Sequence, residues 1–381
     1  MVVTGRRRAA WRALPGPRRA SRRALGGGCG PHGAGERSCR TGRRRPLPEG
    51  GKGLKRLDRR EFLEKAGGMA AALGALYLAS TLPGCGGREG CPLEEGEAAS
   101  PGELPAPAET SAPVGLVVVE GGDPAAMVKA GLAALGGLEA LRPAGKRVLI
   151  KVNAAFARPP EDAATTHPEL VAEVVRGFRE AGASEVIVYD HILQDLVEQT
   201  LERNGIGAAA RAAGASLSVY AVRKPGPARV LQIPGARALP SVGILEDIFK
   251  ADVLVNMPKA KHHSGAGLSM AMKNLIGCTA DMGKMHQVDL HRAIAELNTV
   301  VRPSLVILDA TSVLLDNGPG GPGKVGRPGR IVLGTDPVAV DSYACGFFGV
   351  APASLGYLRY GEELGVGTTD YRSLGVKEVS A

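Results

Sequence analysis

Three lysines and two histidines crowd into the segment from Asn256 to Lys273: Lys259, Lys261, His262, His263 and Lys273. Ammonium groups at that density hold carboxylate or phosphate, and imidazoles beside them transfer protons or bind metal. Pro258, Gly265 and Gly267 make the first half read as a loop. Ser269 reads as the cap of a helix through Lys273 that Gly277 stops. On such a helix Ser269 and Lys273, four apart, share a face. Lysines beside a helix N-terminus and a Gly-rich loop form an anion pocket. The competing reading is an exposed basic loop; the glycines, the histidines and the position after an apolar strand favour the pocket. His286, further along the chain, is a candidate to join His263, either as acid–base partner or as metal ligand.

The elements that must position these groups alternate in type. Apolar runs at Arg147–Val152, Glu185–Tyr189, Leu217–Val222, Val253–Val255, Leu305–Leu308 and Ile331–Leu333 read as buried strands. Between the first two, Leu170, Val171, Val174, Val175 and Phe178 share one face of a helix over Pro168–Ala181. A second helical stretch runs from Leu193 to Asn204 and stops at Gly205. This pattern predicts an α/β fold, a mostly parallel sheet with helices on both faces, in a single large domain over residues 114–381. Polar residues follow the strands: Asn153, Asp190, Asn256, Asp309 and Asp336. Singly, each is a turn former or cap; together they place a site at the carboxyl edge of the sheet. His167, just before a helix, reads either as its cap or as a site residue.

The charge is unevenly spread. Residues 1–60 hold 18 of the 47 Lys and Arg but 3 of the 38 Asp and Glu, so the remainder carries a net −6. A folded part of that sign is not a general nucleic-acid binder. Aromatics at 4% argue against a base-stacking surface, and 44% hydrophobic residues argue against global disorder. Residues 1–57, rich in Arg, Gly and Pro, read as a disordered basic extension. Either it is a nucleic-acid arm or the start site lies downstream, at a non-Met codon shortly before Asp58. The segment next to it favours the second reading. Arg59-Arg60-Glu61-Phe62-Leu63, with an uncharged Ala/Gly-rich run to Gly87, resembles a twin-arginine (Tat) export signal over residues 58–85. Leu82-Pro83-Gly84-Cys85 resembles a lipobox, which would anchor the chain to a membrane through Cys85. Residues 86–113 read as a flexible linker. The expected partners are the Tat machinery and an anionic small molecule, with a periplasmic or other extracytoplasmic location. No cysteine pair has C-x-x-C spacing, so no iron–sulfur motif is present. Cys278 and Cys345 are candidates to pair after export.

The globular part resembles the family called domain of unknown function 362. The residues that carry the resemblance are Lys151-x-Asn153, Thr166-His167-Pro168, Asn256-x-Pro258-Lys259-x-Lys261-x-His263, Lys273-Asn274-x-x-Gly277, Gly318-Pro319 and Asp336-Pro337-Val338-Ala339-Val340-Asp341. The resemblance implies an α/β fold over roughly residues 115–370 and adds Lys151 and Asn274 to the candidate ligand-binding residues. His263-x-x-x-Gly267-x-Ser269-x-x-x-Lys273-x-x-x-Gly277 is also similar to a stretch of lactate-racemase-type enzymes. Those bond a nickel-pincer nucleotide to the lysine; Met270 and Ala271 stand where they have two glycines.

The leading expectation is an exported enzyme. Lys259, Lys261 and Lys273 would hold an anion. His263 and His286, with Lys273, would be its catalytic groups, His263 and His286 alternatively metal ligands, and Asp190, Asp309 and Asp336 would orient them or hold a cation. A metal or cofactor inserted before export is left open. The alternative is a membrane-tethered, non-catalytic binding protein for an anionic solute.

Overall fold

A computed structural model of the chain describes Leu104, residues 115–194 and residues 196–381, all within one compact unit, Cys91–Ala381. The readings made for residues 1–113, Leu104 apart, lie outside the described residues: the basic extension, the twin-arginine signal, the lipobox at Cys85 and the linker. Among the described residues no helix is long and apolar enough to cross a membrane.

The described residues form thirteen strands: β1 (Leu116–Glu120), β2 (Arg147–Lys151), β3 (Glu185–Ile192), β4 (Ser216–Ala221), β5 (Ala228–Gln232), β6 (Ser241–Leu245), β7 (Val253–Asn256), β8 (Lys259–His263), β9 (Gly267–Ser269), β10 (Leu305–Leu314), β11 (Val325–Gly326), β12 (Arg330–Gly334) and β13 (Val376–Ser380). The main sheet runs β13-β1-β12-β10-β7-β2-β3-β4, and β5 and β6 form a separate hairpin. From β10 to β4 every pairing is parallel.

The apolar runs of β2 and β7 are continuous because both faces of the sheet are covered. Alternate side chains feed two cores. Leu149 and Leu254 join one with Ile294 and Leu297 of the helix Leu290–Val300. Val148, Ile150, Val253 and Val255 join the other with Val174 and Phe178 of the helix Pro168–Glu180. Burial of Phe178, fully enclosed, contributes about 1.5–3 kcal/mol. Pro168 opens its helix at the first position, where a missing N–H costs nothing. His167 caps that helix, its Nδ1 accepting the Glu169 N–H at 3.3 Å.

The structure departs from the sequence reading in several places. β3 continues through Asp190 to Ile192, and the next helix begins at Val197 rather than Leu193. The lysine segment is a β-hairpin, not a loop: Lys261 faces Ser269 and His263 faces Gly267 across β8 and β9, and β8 docks on β10. Pairing with β10 draws these polar residues into a strand despite their charge. Ser269 therefore lies in β9 and caps nothing. The carboxylate of Asp341 instead accepts the N–H groups of Ala271 (2.6 Å) and Met272 (3.0 Å) at the start of the short helix Ala271–Asn274.

β12 is antiparallel to β10, with Gly334 opposite Val306 near the start of β10. Asp336 thus sits at the edge opposite Asn153 and Asp190, where it caps the helix Pro337–Ala344 by accepting the Ala339 N–H. Cys278 and Cys345 are free, buried thiols, each pushed by burial up to about 12. They stay protonated near neutral pH and form no disulfide.

Candidate functional site

The carboxyl ends of β2 and β3, the β8–β9 hairpin and the segment 273–286 border a cavity of about 190 Å³ that opens to solvent. Lys151, Asn153, Asp190, Lys261, His263, Ser269, Lys273, Asn274 and His286 all line it. The sheet edge supplies the first three, and the hairpin aims alternate residues Lys261 and His263 inward. Phe156, His191, Val222, Ile276, Gly277, Met282 and Pro319 complete the wall. A space of this size suits a ligand of a handful of heavy atoms; pockets for drug-sized molecules run to about 300–1,000 Å³.

The lysines differ in their partners. Lys151 is neutralised by Asp190 at 2.7 Å and also donates to the Val152 carbonyl at 2.6 Å. Gly277 permits this pair: a Cβ there would lie 2.7 Å from Lys151 Cε and 2.9 Å from Asp190 Oδ1. Lys261 donates to Asn153 Oδ1 at 3.0 Å and to the Ala164 carbonyl at 2.5 Å, and sits 4.9 Å from the centre of the Phe156 ring. Burial, then the nearby Lys273 charge, pull its pKa down to about 7, although Asp190 opposes them. Lys273 is 8% exposed, and its side-chain ammonium makes no hydrogen bond or ion pair with any described residue. Burial lowers it to about 8.

The two buried histidines of the wall are held in opposite tautomers. His263 Nδ1 accepts the backbone N–H groups of Gly265 (3.0 Å) and Ala266 (3.2 Å), so its proton is on Nε2. Burial and the Lys273 charge lower His263 to about 3, so the ring is neutral at ordinary pH. His191 Nδ1 lies 2.8 Å from the Thr279 carbonyl, which can only accept, so its proton is on Nδ1. Its Nε2 keeps a lone pair, buried and without a partner. Of the two rings, only His263 offers a nitrogen to the cavity, and it offers a donor. His286 is exposed, its ring parallel to that of His263 at 5.9 Å between centroids; burial and then Lys273 lower its pKa.

An asparagine chain sets the floor. Asn153 Nδ2 donates to Asn274 Oδ1 (3.0 Å), Asn274 Nδ2 to Asn256 Oδ1 (2.8 Å), and Asn256 Nδ2 to the Ala271 carbonyl (2.9 Å). It ties the strand ends to the segment that carries Lys273.

Five candidates stand away from the cavity lining. Asn256 acts through that chain. Lys259 pairs with Asp309 at 2.8 Å, both fully buried. Burial pushes Asp309 up, but the Lys259 charge outweighs it and the carboxyl is held below its usual range. Asp309 also accepts the His167 N–H at 2.8 Å, which fixes the cap residue in place. Asp336 is at the far edge. Conversely, His191 and Phe156 escaped the sequence reading, which ended β3 at Tyr189. The available signal was an Asp-His doublet at the end of a buried strand.

The His263 ring is set up to donate rather than to hold a metal. Coordination through His263 Nε2 would require the proton to move to Nδ1, which already accepts two N–H groups. Among the described residues no group of three or more His, Cys, Asp or Glu is placed to hold a metal ion.

Residues 148–346, more than half of the chain, match the model of the family described as Domain of unknown function (DUF362). The chain belongs to the DUF362 family. The matched stretch runs from β2 through Cys345 and so contains every residue named above on the cavity wall. A relative, the thylakoid-associated protein sll1697 of Synechocystis sp. (strain ATCC 27184 / PCC 6803 / Kazusa), is 28% identical over 262 residues, or 66% of this chain and 78% of that protein. Among solved structures, the lactate racemase apoprotein from Thermoanaerobacterium thermosaccharolyticum aligns with a TM-score of 0.33 at 15% identity. That alignment covers 64% of this DUF362 chain and 58% of the other. A likeness at that score carries no chemistry across.

Proposed function

We propose that the DUF362 cavity is the active site of an enzyme that binds a small anion, a carboxylate or a phosphate. One observation carries this: Lys273, buried in the cavity wall, has no counter-charge among the described residues. With Lys151 matched by Asp190, Lys261 and Lys273 are surplus cations in a low-dielectric space. Burying an uncompensated amine destabilises a fold, so its retention points to a ligand that supplies the missing charge. Lys261 has one N–H left after its two hydrogen bonds, and the Ser269 hydroxyl has no partner among the described residues. Both, with His263 Nε2–H, are available to oxygen atoms of the anion. A fixed imidazole donor beside an unpaired amine favours a proton-transfer enzyme over a passive solute carrier.

Calorimetric titration with glycolate and with inorganic phosphate tests the reading. The wild type binds at least one of them, and His191→Phe keeps binding. Failure of both anions to bind at neutral pH would sink it. We further propose export through Arg59 and Arg60, with Cys85 as a tether; the thylakoid association in the name of the Synechocystis relative accords with a tethered protein. Replacing both arginines by lysine retains the protein in the cytoplasm if this holds, and fractionation of cells reads the result.

A further inference from the structure

We propose that Lys273 is an amine nucleophile that forms an imine with a small carbonyl-bearing anion, of the 2-oxo acid or aldehyde acid class. This rests on the anion-site reading and deepens it. Of the three cavity lysines, Lys151 is engaged by Asp190 and Lys261 by Asn153 and Ala164. Lys273 alone presents an amine that nothing among the described residues holds, from a side chain more than nine-tenths buried. An amine attacks only through its lone pair, and enclosure in a low-dielectric wall favours the neutral form.

The remaining groups suit the rest of the substrate. The free N–H of Lys261 and the Ser269 hydroxyl can receive a carboxylate, leaving the carbonyl carbon for Lys273. His263 Nε2–H, locked as a donor by two backbone N–H groups at Nδ1, can hydrogen-bond the carbonyl oxygen as it gains charge. The step balances without a co-reactant. The Nζ lone pair forms the C–N bond as the C=O π bond breaks. One amine proton moves to the oxygen to give a carbinolamine, and the second leaves with that oxygen as water. Amine plus carbonyl becomes imine plus water, with no change in oxidation state. The cavity volume of about 190 Å³ admits such a molecule.

The test is reductive trapping with glyoxylate and cyanoborohydride, followed by peptide mapping of the intact protein. Lys129, 73% exposed, serves as the internal reference. Carboxymethylation of Lys273 is expected at least about tenfold faster than that of Lys129, because its amine is more often neutral near pH 7.5. Glycolate, which has the carboxylate but no carbonyl, is expected to protect Lys273 and not Lys129. Labelling of Lys273 no faster than Lys129, while glycolate still binds by calorimetry, overturns the imine and leaves the anion site standing. Absence of both labelling and glycolate binding overturns both. The site-resolved rate in the wild type keeps the result independent of whether a Lys273 variant folds.

Discussion

Two buried lysines, Lys259 and Lys273, lie in the same stretch of chain and are treated oppositely. Lys259 meets Asp309 at 2.8 Å and Ser312 at 3.2 Å, with neither charged partner more than 1% exposed. Lys273, 8% exposed, meets no polar partner among the described residues. The first arrangement is a closed contact that joins β8 to β10 and, through Asp309, fixes the His167 turn. The second is an open valence facing a cavity. The difference separates a charge that organises the fold from one that waits for a ligand, although burial lowers the pKa of both amines.

Breaking the closed contact should have the largest effect. Asp309→Ala leaves Lys259 buried and unpaired, a loss of about 3–5 kcal/mol that thermal melting would read directly. A melting curve like that of the wild type would show that Lys259 has another way to neutralise. Gly277→Ala strikes the other neutralised lysine. The new Cβ meets Lys151 and Asp190, and repacking should cost about 1–3 kcal/mol, measured as a lower denaturant midpoint. Lys273→Met should behave in the opposite way: stability unchanged or raised by about 1 kcal/mol, because an unpaired buried charge is gone.

The pH dependence reads the two cavity lysines together. Lys261 and Lys273 have folded pKa values of about 7 and about 8, below the usual 10.5. The unfolded chain therefore binds more protons from about pH 7–8 up to 10.5. In that window these two groups make stability rise with pH. Anion affinity should move the other way, falling as pH rises through 7 to 8 and the cavity loses its charge. His263, at about 3, contributes no step there. Affinity that holds constant from pH 6 to 9 would mean that the lysines do not bind the anion.

The chain itself disclosed much of this, unevenly. Strands β2, β3, β7 and β10 were legible because apolar runs bounded by polar residues have few other uses. The helix Pro168–Glu180 was legible from its apolar period and from Pro168. The direction of β12 was not, since nothing local in Ile331–Leu333 distinguishes a parallel from an antiparallel neighbour; Asp336 was misplaced for that reason. β8 was hidden by its own charge: Lys-Ala-Lys-His-His becomes a strand by pairing with β9 across a hairpin and with β10, some fifty residues away. The cap supplied by Asp341 to Ala271 is equally remote, and Ser269 looked like the local solution. Nine of the site candidates nevertheless line one cavity, because the carboxyl edge of a parallel sheet gathers the residues that come after its strands. His191 was lost by stopping β3 three residues early.

The most direct test of the open-valence account is one paired titration. Glycolate is titrated calorimetrically at pH 7 into the wild type and into Lys273→Met, with the melting temperature of each recorded. The account predicts that affinity falls at least about tenfold in the variant, while its melting temperature is no lower. Equal affinity in the two proteins, with the variant folded, would contradict it.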